Sequence, residues 1–283
     1  MGRLKIVYPV CCGMDVHRDF LIACIAATNA QGVTEYQSRR FSTYTGSLRE
    51  LRDWLLANDC KDVCMESTGK YWFPVHNILE ESCHVVVSHP KFVKAIKGKK
   101  TDKKDAQWIA DLFKHDLVRG SFIPPKDIRQ LRDLCRYWVK LSSYMTGEKN
   151  RAQNCLTVSN FKLDDVFSNV FGKSASAITT QLLEHPGEQF DVAPFVDGRC
   201  KTPIAQIQEA VDGIFTYEQA EKLKIIRGHM DSLERHKAEL ESLILEIAQN
   251  YLPQIELLLK TRRVPVRRKP LALANPVLIS SPC

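Results

Sequence analysis

Short apolar runs separated by polar turns dominate the first 125 residues of this chain. Runs of this length are typical of β-strands, and they lie at residues 8–16, 20–27, 62–65 and 84–88. A further strand is predicted at residues 34–41, where apolar and polar residues alternate. Between them, other segments have the period of amphipathic helices. Helices are predicted over residues 47–57 and 71–80, from Pro90 onward, and from an N-terminal cap at Thr101 to residue 117.

The order of these elements predicts the fold class. Three strands, a helix, a strand, a helix and a strand form the sequence of elements of an α/β domain with an RNase H-like, or resolvase-like, sheet. The pattern changes after the Pro124-Pro125 pair, so we expect this domain to occupy residues 1–125.

Long helices are predicted beyond the proline pair. Apolar residues recur at alternating three- and four-residue steps over residues 131–155 and again over residues 223–251, as in the a and d positions of a coiled coil. Glycines and prolines divide the stretch between them into shorter helices. We therefore expect a helical coiled-coil arm over residues 126–260, either as a helical hairpin or as an arm for dimerisation.

Each of the two apolar stripes carries one charged residue, Glu148 in the first and Lys237 in the second. A polar residue at such a position can fix the register of a coiled coil, so one hypothesis pairs the two across the seam. The alternative, which we favour, is that both side chains extend to solvent.

Composition narrows the class of protein. The formal net charge is +7, no apolar run approaches the length of a membrane span, and the ten cysteines lack the paired spacing of a zinc site. Several cysteines lie inside apolar runs, so we expect reduced thiols in a cytoplasmic protein.

Residues 261–283 contain four prolines and no acid, and we expect a basic, disordered tail there.

Four carboxylates stand where packing gives no reason for them. Asp15 ends a strand in the motif GMDVH, Glu66 follows a strand in MESTG, and Asp102 and Asp105 open a helix in KTDKKDA. Burying charge is costly unless it is compensated, and oxygen ligands suit Mg²⁺. Each acid also has an ordinary interpretation taken singly: a turn acceptor for Asp15, a strand-edge residue for Glu66, and helix-dipole partners for the pair.

Basic and aromatic residues surround these motifs. Seven lysines approach or enter the last helix and are candidates for contact with the nucleic-acid backbone: Lys91, Lys94, Lys97, Lys99, Lys100, Lys103 and Lys104. Tyr71 and Trp72 could stack on bases, although packing in the core is the better interpretation. His17 could orient Asp15, contact phosphate, or be structural.

Together, the motifs GMDVH, ESTGKYW and KTDKKDA make the chain resemble the DEDD transposases of bacterial insertion sequences, the IS110 group. The resemblance extends to about residue 260. It implies a resolvase-like domain, a coiled-coil arm, and DNA recombination with Mg²⁺ and a structured guide RNA; the homo-oligomer is expected from the apolar stripes of the arm. Carried over residue by residue, it makes Asp15, Glu66, Asp102 and Asp105 the metal-binding and catalytic tetrad.

The C-terminal end departs from the family's pattern. Members carry a further domain with a glycine-rich turn and a serine nucleophile, whereas no glycine follows Gly228 here and Ser280 and Ser281 stand beside the terminus. We interpret the chain as a truncated or frameshifted member whose strand exchange is impaired; a genuine short variant is the alternative.

Three functions therefore remain open: a metal-dependent transposase or recombinase, a non-catalytic nucleic-acid-binding remnant, and a stand-alone resolvase-like nuclease. A sugar-kinase-type ATPase would share the sheet. It is disfavoured because Asp15 is followed by Val16-His17-Arg18 and not by a phosphate-binding loop.

Overall fold

The structure is a computed structural model that describes residues 4–93 and 101–260, with side chains through residue 257. It divides into two compact units between Ile123 and Pro124. The predicted tail at residues 261–283, including Ser280 and Ser281, lies outside the described residues.

Unit 1 is built on a five-stranded sheet. Its strands are β1 (Val10–Val16), β2 (Phe20–Thr28), β3 (Thr34–Ser42), β4 (Asp62–Glu66) and β5 (His84–Ser88). Their order is β3-β2-β1-β4-β5; β1, β2 and β3 are antiparallel, while β4 and β5 run parallel to β1. This mixed sheet is the RNase H-like arrangement, which confirms the predicted α/β fold class.

Helices cover both faces of this sheet. They are α1 (Thr45–Ala57), α2 (Trp72–Leu79), α3 (Pro90–Val93) and α4 (Asp102–Lys114). Residues along β1 alternate between the faces: Cys12 and Met14 pack into the larger core with α1 and α2, whereas Cys11 packs into the smaller core with α4. Odd-numbered positions of β1, including Asp15, therefore face α4.

A glycine sets the turn between β2 and β3. Gly32 has φ of +81°, a conformation that side chains disfavour, and Asn29 Oδ1 accepts hydrogen bonds from the backbone N–H groups of Gln31 and Val33. This turn fixes the register that places Arg40 of β3 opposite Ile22 of β2.

Unit 2 is helical within the described residues. Its α-helices are α5 (Lys126–Val158), α6 (Leu163–Val166), α7 (Lys173–Glu184), α8 (Ile204–Ala210), α9 (Tyr217–Ala248) and α10 (Leu252–Lys260). The two long helices pack against each other as an antiparallel hairpin, because Trp138 of α5 contacts Glu241 of α9 whereas Glu148, further along α5, contacts His229. The apolar stripes of the sequence form this seam.

The two charged residues of the seam do not pair as hypothesised. His229 and Arg151 both donate hydrogen bonds to Glu148 Oε1, at 3.1 and 2.8 Å, while the Lys237 ammonium lies 4.7 Å from the centre of the Trp138 ring. The hypothesis is wrong because the antiparallel register brings residue 229, not 237, opposite Glu148. The favoured alternative is also wrong for Glu148, whose side chain is only 12% exposed.

The cysteines and the helices of the described residues bear on two expectations from composition. All nine cysteines there are free thiols, and most are buried. None of the helices in this part of the chain combines the length and the apolar character that crossing a membrane requires.

Candidate metal centre

Helix α4 lies directly on the backbone of β1, and Gly13 makes this possible. A Cβ atom at Gly13 would lie 2.3 Å from the Ala106 carbonyl oxygen and 2.3 Å from the Ala110 nitrogen, both backbone atoms of α4. Only glycine accommodates a contact this close. The approach brings the N-terminus of α4 to the end of β1 that carries Asp15.

The start of α4 is fixed by its own sequence. The Thr101 hydroxyl oxygen accepts a hydrogen bond from the Lys104 backbone N–H at 3.3 Å, as expected of the predicted N-terminal cap. Asp102 and Asp105 lie in the first turn, where the helix dipole favours carboxylates. The first turn of α4 thus stabilises these two acids, and the contact of α4 with β1 brings them towards the end of β1 that carries Asp15.

Asp15, His17 and Asp102 form a tight group at this end of β1. His17 Nε2 lies 3.1 Å from Asp15 Oδ2 and 3.7 Å from Asp102 Oδ1, and one ligand atom from each of the three residues lies within 4.8 Å of the others. The Asp15 side chain is 18% exposed, against 41% for His17 and 51% for Asp102. The imidazole therefore bridges a recessed carboxylate and an exposed one.

The other two predicted ligands lie outside this tight group. Met14 pairs with Met65 in the parallel ladder, so Glu66 occupies the position beside Asp15 on the same face of the sheet. The Thr68 hydroxyl donates a 2.7 Å hydrogen bond to Glu66 Oε1. Asp105 acts on Asp15 electrostatically from the first turn of α4.

The surroundings of Asp15 disfavour its ionised form, so a positively charged partner would stabilise the carboxylate. Partial burial raises the pKa of Asp15 above its ordinary value, and the negative charges of Asp102 and Asp105 add to the rise. The hydrogen bond from His17 opposes it without cancelling it. A bound cation would supply the compensation that the side chains alone do not.

The donor set fits a hard divalent cation. Carboxylate oxygens are the ligands that Mg²⁺ prefers, and the cluster offers them from Asp15 and Asp102, with Glu66 and Asp105 beside them. His17 already bridges two of these acids, which suits a residue that orients ligands. The sequence left the role of His17 open, and the geometry favours orientation of Asp15.

The basic and aromatic candidates are only partly described. Lys91 lies in the short helix α3, and Lys103 and Lys104 are exposed in the first turn of α4. The remaining predicted contacts lie outside the described residues: Lys94, Lys97, Lys99 and Lys100. Trp72 is buried in the core as preferred from the sequence, whereas Tyr71 is 42% exposed.

If His17 orients Asp15, its removal weakens metal binding without removing a carboxylate. We expect His17→Ala to lower the affinity for Mn²⁺ roughly 10-fold, as for other residues that orient metal ligands, and His17→Gln, which keeps an N–H donor, to restore part of it. Isothermal titration of the metal-free protein measures both.

The chain provides a matched control for this variant. His84 forms the same kind of pair with Asp62, at 2.9 Å, where β4 and β5 begin. His84→Ala should leave Mn²⁺ affinity unchanged. Equal affinities for the His17→Ala and wild-type proteins would contradict the orienting role.

The chain is similar in sequence to a known family and in structure to two solved proteins. A family profile for DEDD transposases of the IS110 type, described as Transposase, matches residues 12–160, more than half of the 283 residues. RuvC from Thermus thermophilus is 14% identical, with a TM-score of 0.33 and coverage of 40% of this chain and 99% of that chain. Fowlpox virus resolvase, solved with its substrate Holliday junction DNA, is 14% identical, with a TM-score of 0.25 and coverage of 37% and 72%. No curated protein matches the chain.

Proposed function

Because the chain belongs to the IS110-type family of DEDD transposases, which act on DNA, we propose that it cleaves DNA strands at the carboxylate cluster of unit 1. The observation that carries this proposal is the convergence of Asp15 and Asp102 from two distant segments, held by the contact of α4 with Gly13. Acids collected in this way suit phosphodiester chemistry with a divalent metal.

We propose Mg²⁺ as the metal, held by Asp15, Glu66, Asp102 and Asp105. The cation would activate the attacking water and stabilise the charge that develops on the phosphate. Asp15 is the recessed ligand, and His17 holds its carboxylate in place. Lys91, Lys103 and Lys104, with Lys94, Lys97, Lys99 and Lys100, would hold the DNA backbone through its phosphates.

Two further partners belong to the same proposal. The structured guide RNA rests on the family resemblance, and the homo-oligomer rests on the a/d stripes of the helical arm. The a/d stripes pack within the chain as the α5–α9 seam, so an oligomer through the helical arm would need outward residues. Ile225, Leu243 and Leu245 of α9 are apolar and exposed. Light scattering of the purified protein would distinguish a monomer from an oligomer.

We also propose a cytoplasmic location, where bacterial DNA lies.

A plasmid assay tests the function directly. The purified chain is incubated with Mg²⁺ or Mn²⁺ and supercoiled plasmid carrying the end of its own element, with and without the RNA transcribed from that element. We expect nicked plasmid only when metal is present. Recombinant product would extend the function to full strand exchange, whereas binding without nicking would favour the non-catalytic remnant.

A further inference from the structure

We propose that Arg40 on β3 binds a backbone phosphate of the DNA strand that enters the carboxylate site. The proposal rests on the proposed function for the identity of its ligand. The sequence motifs predict nucleic-acid contacts at the lysines of residues 91–104, and Arg40 lies far from those lysines along the chain.

The sheet register places Arg40 in the same cross-strand row as the proposed metal ligands. Asp15 of β1 pairs with Ile22 of β2, and Ile22 pairs with Arg40 of β3. Directly paired residues project to the same face, so Arg40 shares the α4 side of the sheet with Asp15. Two strand spacings separate their Cα atoms, a distance of about 10 Å. A long arginine side chain at that distance can contact a phosphate adjoining the site.

The guanidinium of Arg40 is held beside the site by aromatic contacts. It lies 4.0 Å from the centre of the Phe20 ring, and that ring lies 4.7 Å from the His17 ring. Stacking on a ring leaves the N–H groups at the edge of the guanidinium free to donate hydrogen bonds. The chain of contacts therefore runs from Arg40 through Phe20 to His17 and Asp15.

No carboxylate neutralises this charge in the part of the chain that the structure describes. Arg40 is exposed and takes part in no ion pair there. The nearby Lys103 is also exposed, and its charge acts on Cys24, which shares the α4 face of β2. Arg40 and Lys103, neither of which has an acid partner among the described residues, thus lie beside an acidic cluster, as expected where a phosphate must approach carboxylates.

The adjacent residue, Arg39, provides the matched control. Its guanidinium also lies over a phenylalanine, 4.8 Å from the centre of the Phe41 ring, but on the opposite face of the sheet, and it forms an ion pair with Glu50 at 3.9 Å. The two arginines differ by one position in sequence and by the face of the sheet they occupy. An effect limited to Arg40 would follow from that face and not from net charge.

The test measures DNA binding separately from cleavage. The full-length wild-type, Arg40→Gln and Arg39→Gln proteins are titrated with fluorescent duplex DNA in EDTA over a range of salt concentrations. We expect Arg40→Gln to weaken binding roughly 5-fold and to reduce the slope of log K against log[salt] by about 0.9, the value for one phosphate contact. Arg39→Gln should match the wild-type protein, and Arg40→Lys should recover part of the affinity.

The outcomes separate this proposal from the proposed function. Equal DNA affinity of Arg40→Gln and Arg39→Gln, with melting temperatures unchanged, would overturn the role of Arg40 even if the chain cleaves DNA. Loss of affinity for an RNA duplex but not for DNA would also overturn it. A wild-type protein that binds DNA through Arg40 but never nicks it would refute cleavage alone.

Discussion

Replacing Gly13 with alanine is expected to destabilise unit 1 and to disable the metal site together. The added methyl would meet backbone atoms of Ala106 and Ala110 at 2.3 Å, so α4 must move away from β1. Overpacking of this kind costs about 2 kcal/mol, and more when backbone cannot yield. The same movement separates Asp102 from Asp15. A misplacement of about 1 Å can lower a reaction rate roughly 100-fold. Denaturant unfolding measures the first effect, and plasmid nicking measures the second.

Gly46→Ala is the control for this variant. Gly46 lies in α1, where an added Cβ would meet nothing within 4 Å. Alanine is preferred over glycine inside a helix by up to about 1 kcal/mol, so this protein should be as stable as wild type or slightly more stable. If Gly13→Ala retained both wild-type stability and wild-type nicking, α4 would not be held on β1 as the structure indicates.

Asp15→Asn is expected to slow DNA nicking strongly while leaving the metal-free protein at least as stable as wild type at neutral pH. Metal ions contribute several kcal/mol of transition-state stabilisation, and each 1.4 kcal/mol is about tenfold, so we expect a loss of roughly 1000-fold. Asparagine keeps an oxygen that can accept the hydrogen bond from His17, and it removes a charge that the fold partly buries.

The pH dependence follows from the sign of the shift. Burial and the neighbouring Asp102 and Asp105 raise the pKa of Asp15 in the folded state, so ionised Asp15 destabilises the metal-free fold above that pKa. This destabilisation is lost as the pH falls from above the raised pKa of Asp15 in the folded state to below its ordinary pKa in the unfolded state. The melting temperatures of wild type and Asp15→Asn should therefore converge in acid.

Metal addition reverses the comparison at neutral pH. A ligand at 100 times its Kd stabilises the folded state by about 2.7 kcal/mol, so Mg²⁺ or Mn²⁺ should raise the melting temperature of wild type by several degrees. Asp15→Asn should show little of that rise. Equal metal-dependent shifts in the two proteins would exclude Asp15 as a ligand.

Much of unit 1 could be predicted because its signals are local. Short apolar runs located four of the strands and alternation located β3, and the Thr101 cap located the start of α4, although β1 begins at Val10 and not at residue 8. The two acids of α4 were visible as a pair spaced three residues apart. Their convergence with Asp15 required the sheet order, which the element order indicated.

The remaining features depend on register and on close backbone approach, which no local pattern encodes. The contact of Gly13 with α4 joins residues nearly 100 positions apart. The row from Asp15 through Ile22 to Arg40 exists only because two hairpins fix their pairing. The error over Glu148 and Lys237 has the same origin, since the apolar stripes specify a seam but not the alignment of its two helices.

The close seat of α4 has a further consequence for the thiols beneath it. Cys11 and Cys64 are buried between the sheet and this helix, and burial raises the pKa of each thiol to about 12. Such thiols react with alkylating reagents only when the helix lifts away. These two native thiols can therefore report the opening of α4. Their alkylation rates would measure how often the acids at the start of α4 move away from the sheet, without any engineered label.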